Sequence, residues 1–186
     1  MDHLEKLGLP TDKGGVLQIN GSPTDAAAGL IKDGTMKGSR LPAIRRWAEF
    51  DTPDWAPPKA QEWAAGQATR FDADIIGVVA AFKAAGVKPV PPVAGNDATI
   101  AALQLIIAGD KYCLISKPSE IVAAAAAQLA VAFLNGKTPK AEMSLYDTPS
   151  QPFTPAVVTR ENLKAEIIDR GMNTAAELCV DRYAAG

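Results

Sequence analysis

Histidine occurs once, at His3, and cysteine twice, at Cys113 and Cys179, far apart and in no C-x-x-C or Cys/His spacing. That scarcity argues against a zinc site or a histidine-based triad, and no cofactor is expected. The cysteines read as buried or half-buried thiols, or as one disulfide. An excess of one charge is missing too: the formal net charge is −2, so nothing points to nucleic acid or an anionic membrane as a partner. Aromatic residues are only 6% of the chain, which favours alanine-rich helices packed close on a sheet over a core of large rings. The longest apolar run, "EIVAAAAAQLAVAFLNG" at 120–136, is shorter than the ~20 residues a spanning helix needs. Residues 1–12, "MDHLEKLGLPTD", lack a basic segment, an apolar segment and a small-residue cleavage site. As given, the chain reads as soluble and without an export signal, which fits the cytoplasm. The G-x-S-x-G, G-x-G-x-x-G and P-loop patterns are absent as well, and "LNGKTP" lacks the upstream glycine of a P-loop. An enzyme is therefore not expected.

What is present is an alternation of short β-like and helical runs over 186 residues, a length that suits one globular domain. "VLQIN" (16–20) reads as a buried strand, followed by a helix near 24–33 that Asp25 or Thr24 would cap. "RRWAEFDT" (45–52) holds a second strand, and the Pro-rich turn "TPDWAPP" opens a helix over 59–71. "IIGVV" (75–79) reads either as a third strand feeding a helix at 80–86 or as part of one continuous helix. A strand at 88–95 leads to a helix over 96–109 with Asn96 or Asp97 at its start and Gly109 past its end. "KYCLISK" (111–117) is the next strand, and Pro118 begins the alanine helix. Residues 137–159 read as extended connection or edge strand, and 160–171 as a short helix capped by Thr159 and stopped by Gly171.

Strands and helices in this order indicate βαβ units and a mainly parallel sheet. The predicted fold class is α/β, a Rossmann-like three-layer α/β/α sandwich. In such sheets ligands sit beyond the carboxyl ends of the strands. The loops there, "NGSPTD", "DTPDW", "GND" and "SKP", supply carboxylates, an indole and an ammonium. Those groups suit a polyhydroxylated ligand: carboxylates accept hydroxyl protons, and an aromatic face stacks on the C–H surface of a sugar. Asp25 and Asp97 serve equally well as helix caps, and Trp47 and Trp63 read as core or interface.

From about residue 13 to 183 the chain resembles the C-terminal half of the type I bacterial solute-binding proteins, the sugar receptors of ABC importers. The runs "INGSPTD", "EFDTPDWAPPKAQEW", "GNDATIAALQLIIAGDKY", "ISKPSEIVAAAAAQLAVAFLNGKTP" and "TPAVVTRENLKAEIIDRG" look like its xylose-binding branch in order and approximate spacing. The resemblance implies a receptor that closes on a pentose or hexose between two lobes and delivers it to an ABC permease, in the periplasm or at the cell surface. It matches Asp25 to an acidic ligand contact, Trp55 to the aromatic on the sugar ring, Asp97 to the aspartate of the "GxDA" motif, and Lys117 to the lysine of the "KP" motif. Ala26 and Ala27 stand where family members often carry asparagines, and the loop after the third strand is missing. The expected organisation is an extension over 1–12, a sugar-binding lobe over 13–136, and a hinge-like segment with a terminal helix over 137–186, a form truncated and internally deleted relative to the family. The alternative expectation is a homodimer or partner-binding module that keeps the fold without binding sugar.

Overall fold

The computed structural model describes residues 15–38, 45–68, 75–76, 83–84, 86, 92–117 and 119–184. His3, the 1–12 extension, Pro118, the first half of the expected strand at 88–95 and most of the helix at 80–86 lie outside them. The chain forms two compact units: residues 1–94 with 109–112, and residues 95–108 with 113–186.

In the first unit, β1 (Gly15–Asn20) pairs in parallel with β2 (Arg45–Asp51) and with β3 (Ile75–Ile76), in the order β2-β1-β3. Ile75–Ile76 form a strand rather than part of a helix, and residues 77–82 of the same stretch lie outside the described ones. Helix α1 (Ala26–Gly38) links β1 to β2, and α2 (Pro57–Ala68) follows β2 through a one-turn 3-10 segment at Pro53–Trp55. Prolines at 57 and 58 suit a helix start, where the missing N–H costs nothing. Leu17, Ala28 and Ala64 are buried, and Trp63 stacks on Phe50 with ring centroids 5.4 Å apart. The buried residue of each helix is an alanine, Ala28 in α1 and Ala64 in α2.

Parallel register brings Gln18 opposite Glu49 and Asn20 opposite Asp51. The result is a polar ladder on one sheet face: Asn20 Nδ2 donates to Asp51 at 2.7 Å and to Glu49 at 3.0 Å, and Lys32 of α1 bridges both carboxylates. Hydrogen bonds from Lys32, then from Asn20, hold the Asp51 carboxyl below its ordinary value, while Glu49 and then Asp51 push the Lys32 ammonium up. A depressed carboxyl stabilises the fold above its unfolded value and stops doing so as pH falls through the folded one. A raised ammonium stabilises it below its unfolded value and fails as pH climbs through the folded one. The thermal midpoint is expected to be flat between about pH 5 and 10 and to fall on both sides. Lys32→Gln should remove the alkaline fall and weaken the acid one. An unchanged profile would show that the ladder is fully screened.

The second unit is built around α3 (Ile100–Ile107), β5 (Cys113–Ser116) and β8 (Ala156–Thr159), with β4 (Ala94–Asn96) beside β5 in a sheet of order β4-β5-β8. Here β5 departs from the parallel pattern: it pairs antiparallel with β8, Leu114 opposite Val158. The expected edge strand is thus β8, which returns to β5 from the opposite direction. Leu103, Ile106, Leu114, Val158, Leu163, Ile167 and Leu178 form the core with Ala102. Gln104 reaches from α3 to the carbonyl of Leu178 at 3.2 Å, tying down the short helix α5 (Ala175–Leu178), whose Thr174 and Glu177 form a capping box.

The helix expected at 160–171 is a π-turn over Lys164–Ile168, with Asp169 N–H donating to Lys164 O. Gly171, at φ 73°, ends it; the Met172 N–H to Ile167 O bond closes the turn behind it. Thr159 does not act as a simple helix cap: its N–H donates to Asn162 Oδ1 at 2.7 Å. Cys113 and Cys179 are half-buried thiols, not a disulfide.

Between β5 and β8 lie α4 (Ser119–Leu134) and a hairpin of β6 (Met143–Leu145) and β7 (Thr148–Ser150), turned by Tyr146 and Asp147 at positive φ. Helix α4 is apolar nearly all round yet buries no residue; Val131 and Phe133 are each 57% exposed and Leu134 87%.

Candidate functional site

The turn after β1 follows from its residues. β1 ends at Asn20, and Asp25 caps α1: its N–H donates to Ser22 O at 3.1 Å and its Oδ1 accepts from Ala27 N–H at 2.8 Å. The cap expected of Asp25 is present. The second carboxylate oxygen accepts the indole Nε1–H of Trp55 at 3.1 Å. Trp55 stands at the end of the 3-10 turn after β2, with φ 53°, next to Asp54 at φ 55°. Two successive non-glycine residues in the left-handed region cost of order 1–3 kcal/mol each. The chain bears this strain where it presents an indole that stays 44% exposed. The end of the β1–β2 pair therefore carries an anchored carboxylate and an aromatic platform touching each other.

Asp97 and Lys117 meet at the ends of β4 and β5 in the second unit. The Asp97 N–H donates to Ile115 O at 3.0 Å, and its Oδ1 lies 2.7 Å from Lys117 Nζ. Asp97 does not cap α3. Thr99 does, accepting from Ala102 N–H at 3.3 Å, while Asp97 turns out of the helical path at φ 68°. Its carboxylate is thereby free to face the lysine. Both side chains are about half exposed, and such a pair is worth only ~0–1 kcal/mol, so a polar ligand can open it at small cost. Beside Lys117 lies a cleft of about 310 Å³, walled by Ile121, Val122, Phe153, Thr154 and Pro155.

The structure thus brings Asp25 to Trp55 and Asp97 to Lys117, each pair in its own unit. Phe153 and Thr154 went unnoticed in the sequence, because a Pro-rich stretch gives no sign that it returns beside Lys117. Gly21 went unnoticed as well, although the Trp55 ring lies against it. Among the described residues no cluster of His, Cys, Asp or Glu is arranged to hold a metal, and no helix is long and apolar enough to cross a membrane.

The family described as periplasmic binding protein domain matches residues 4–138. The chain belongs to this family. As a periplasmic binding protein domain it is 28% identical over 185 residues to the D-xylose-binding periplasmic protein of Escherichia coli (strain K12), an alignment that takes in 89% of this chain and 56% of that protein. It is 28% identical over 118 residues to the multiple sugar-binding periplasmic receptor ChvE of Rhizobium radiobacter, covering 58% of this chain and 33% of the receptor.

Its fold matches an ABC transporter solute binding protein from Clostridium phytofermentans with bound β-D-glucose, at TM-score 0.78 and 24% identity over 94% of this chain and 64% of that one. It also matches a carbohydrate transporter solute binding protein from Chloroflexus aurantiacus in complex with D-glucose, at TM-score 0.73 and 20% identity, covering 88% and 61%. These likenesses establish the Rossmann-like α/β fold of a type I periplasmic binding protein. The matches span only about a third to two thirds of the length of these relatives. The family is one of binding proteins, not enzymes.

Proposed function

We propose that this domain binds a small sugar, a pentose or hexose, as the substrate-binding part of an ABC-type carbohydrate importer, in the periplasm and with the importer's permease as partner. The observation that carries the reading is the Trp55 indole, exposed and tethered to Asp25 at the strand ends where α/β sheets take their ligands. Asp25 and Trp55 form one set of contacts, carboxylate to hydroxyl and ring to ring; Asp97 and Lys117 form the other, with charges of both signs for hydroxyls. In this reading residues 13–136 carry all four contacts, and 137–186 supply a hinge-like segment and closing helix. That grouping is supported by Leu163 and Ile167 sharing a core with Leu103 and Leu114. The named ligands of the relatives, D-xylose and D-glucose, are the first sugars to try.

A second reading is favoured by α4, whose exposed Val131, Phe133 and Leu134 suit self-association. Identical apolar faces complement each other about a two-fold axis, and a net charge of −2 opposes such pairing little.

One titration separates the two. Calorimetry with D-xylose and D-glucose is expected to give saturable binding below about 0.1 mM, weakened about tenfold or more by Trp55→Ala. No binding at about 10 mM by a cooperatively folded chain would overturn the sugar reading. A dimer in sedimentation of that same sample would move the function to α4.

A further inference from the structure

A glycine can be required by its backbone or by its neighbours, and Gly21 is of the second kind. Its φ is not positive, unlike those of Gly86, Gly109, Gly136 and Gly171, so an alanine would suit the backbone there. The obstacle is the Trp55 ring: a β-carbon built on Gly21 would stand 2.1 Å from Cη2, 2.3 Å from Cζ2 and 2.5 Å from Cζ3. Contacts under 3.0 Å essentially never occur for real β-carbons. Gly29, Gly34, Gly66, Gly86, Gly109, Gly136 and Gly171 all have open space at that position. The crowded atoms belong to a rigid ring held at two places, by its Nε1–H bond to Asp25 and by a left-handed stem at Asp54 and Trp55. The ring cannot bend; it would have to shift as a body.

We propose that Gly21 is the positioning residue of the sugar site: its missing side chain is the seat into which the Trp55 platform settles, next to Asp25. This rests on reading Trp55 and Asp25 as ligand contacts. A side chain at position 21 would lift the indole by on the order of 1 Å, a displacement large enough to misplace a contact surface. It would also pull Nε1–H away from the carboxylate. Gly21 would thus limit how deeply a ring can lie at the strand ends without touching the ligand itself.

The test uses the full chain with and without D-xylose and D-glucose. The Trp55 indole N–H resonance in the ¹H–¹⁵N spectrum is assigned by its loss in Trp55→Phe. In ligand-free Gly21→Ala that resonance is expected to shift and its proton to exchange faster with solvent. Sugar affinity should fall about tenfold, and the same substitution placed in Trp55→Ala should change affinity little, because the clash is already gone. An indole signal left where it was, or an equal loss in both backgrounds, overturns the assignment. Should Gly21→Ala fail to fold, the Gly21→Ala, Trp55→Ala double variant decides: refolding supports the seat, and continued unfolding refutes it. Should the parent chain bind neither sugar, the sugar reading falls, and the indole resonance still tells whether Gly21 seats Trp55.

Discussion

Leu103→Ala is expected to destabilise the second unit by about 2–5 kcal/mol, the largest effect of any single truncation considered. Leu103 has no solvent exposure and lies in one cluster with Leu114, Val158, Ile167 and Leu178. It belongs to α3, whose eight residues are too few to be stable on their own in water. The helix holds because its inner face packs on β5 and β8, and Leu103 is the middle of that face. Removing three carbons, Cγ and its two methyls, leaves a cavity that the surrounding strands fill only in part. Ile100→Ala is the control on the same helix: Ile100 is 44% exposed, and its loss should cost within ~0.5 kcal/mol. Urea titration followed by far-ultraviolet circular dichroism measures both. All three tryptophans, Trp47, Trp55 and Trp63, lie in the first unit, so fluorescence recorded alongside shows whether that unit unfolds in the same step. A Leu103→Ala shift no larger than that of Ile100→Ala would contradict the core assignment.

Asp25 should give the second large effect, and one that can be split. One carboxylate oxygen caps α1 and the other receives the Trp55 indole. Serine keeps a capping oxygen but is too short to reach the indole, whereas alanine loses both. Asp25→Ala is therefore expected to lose about 1 kcal/mol of stability together with sugar affinity. Asp25→Ser should keep most of the stability and still bind sugar about tenfold more weakly. Thermal melts paired with calorimetric titrations of the two variants read the two roles apart. If Asp25→Ser bound like the parent, the carboxylate would be a cap and nothing more.

The contrast between Asp25 and Asp97 shows where the sequence was informative. Asp25 follows a strand and a proline and precedes three alanines, so local rules narrowed the cap to Thr24 or Asp25, and the bond from Ala27 N–H selects Asp25. Gly109 and Gly171 were legible in the same local way. Asp97 has a rival two residues on, and Thr99 wins because Asp97 adopts a left-handed conformation and pairs with Lys117. That pairing depends on β4 lying beside β5, which no local pattern states. The antiparallel match of β5 with β8 was hidden for the same reason, as was the return of Phe153 and Thr154 to Lys117. The π-turn at Lys164–Ile168 keeps apolar residues at near-helical spacing, so periodicity could not tell it from an α-helix. Trp55 was visible as an aromatic in a turn, but its seat on Gly21 comes from a contact between two loops.

The chain from Lys117 to Pro155 departs from β5 and comes back beside it, since Ser116 pairs with Ala156. None of the eight buried core residues lies on that excursion. In polymer terms it is a closed loop of nearly forty residues, and closure entropy rises only by ~0.6 kcal/mol for each doubling of length. Shortening it to a few residues would therefore change the closure term by roughly 2 kcal/mol and take nothing from the core. The fold of the second unit thus sets little constraint on α4 and the hairpin. Only the neck of the loop, where Ile121, Val122, Phe153, Thr154 and Pro155 wall the cleft by Lys117, is joined to the part that must stay in place; the rest is free to diverge in length and sequence.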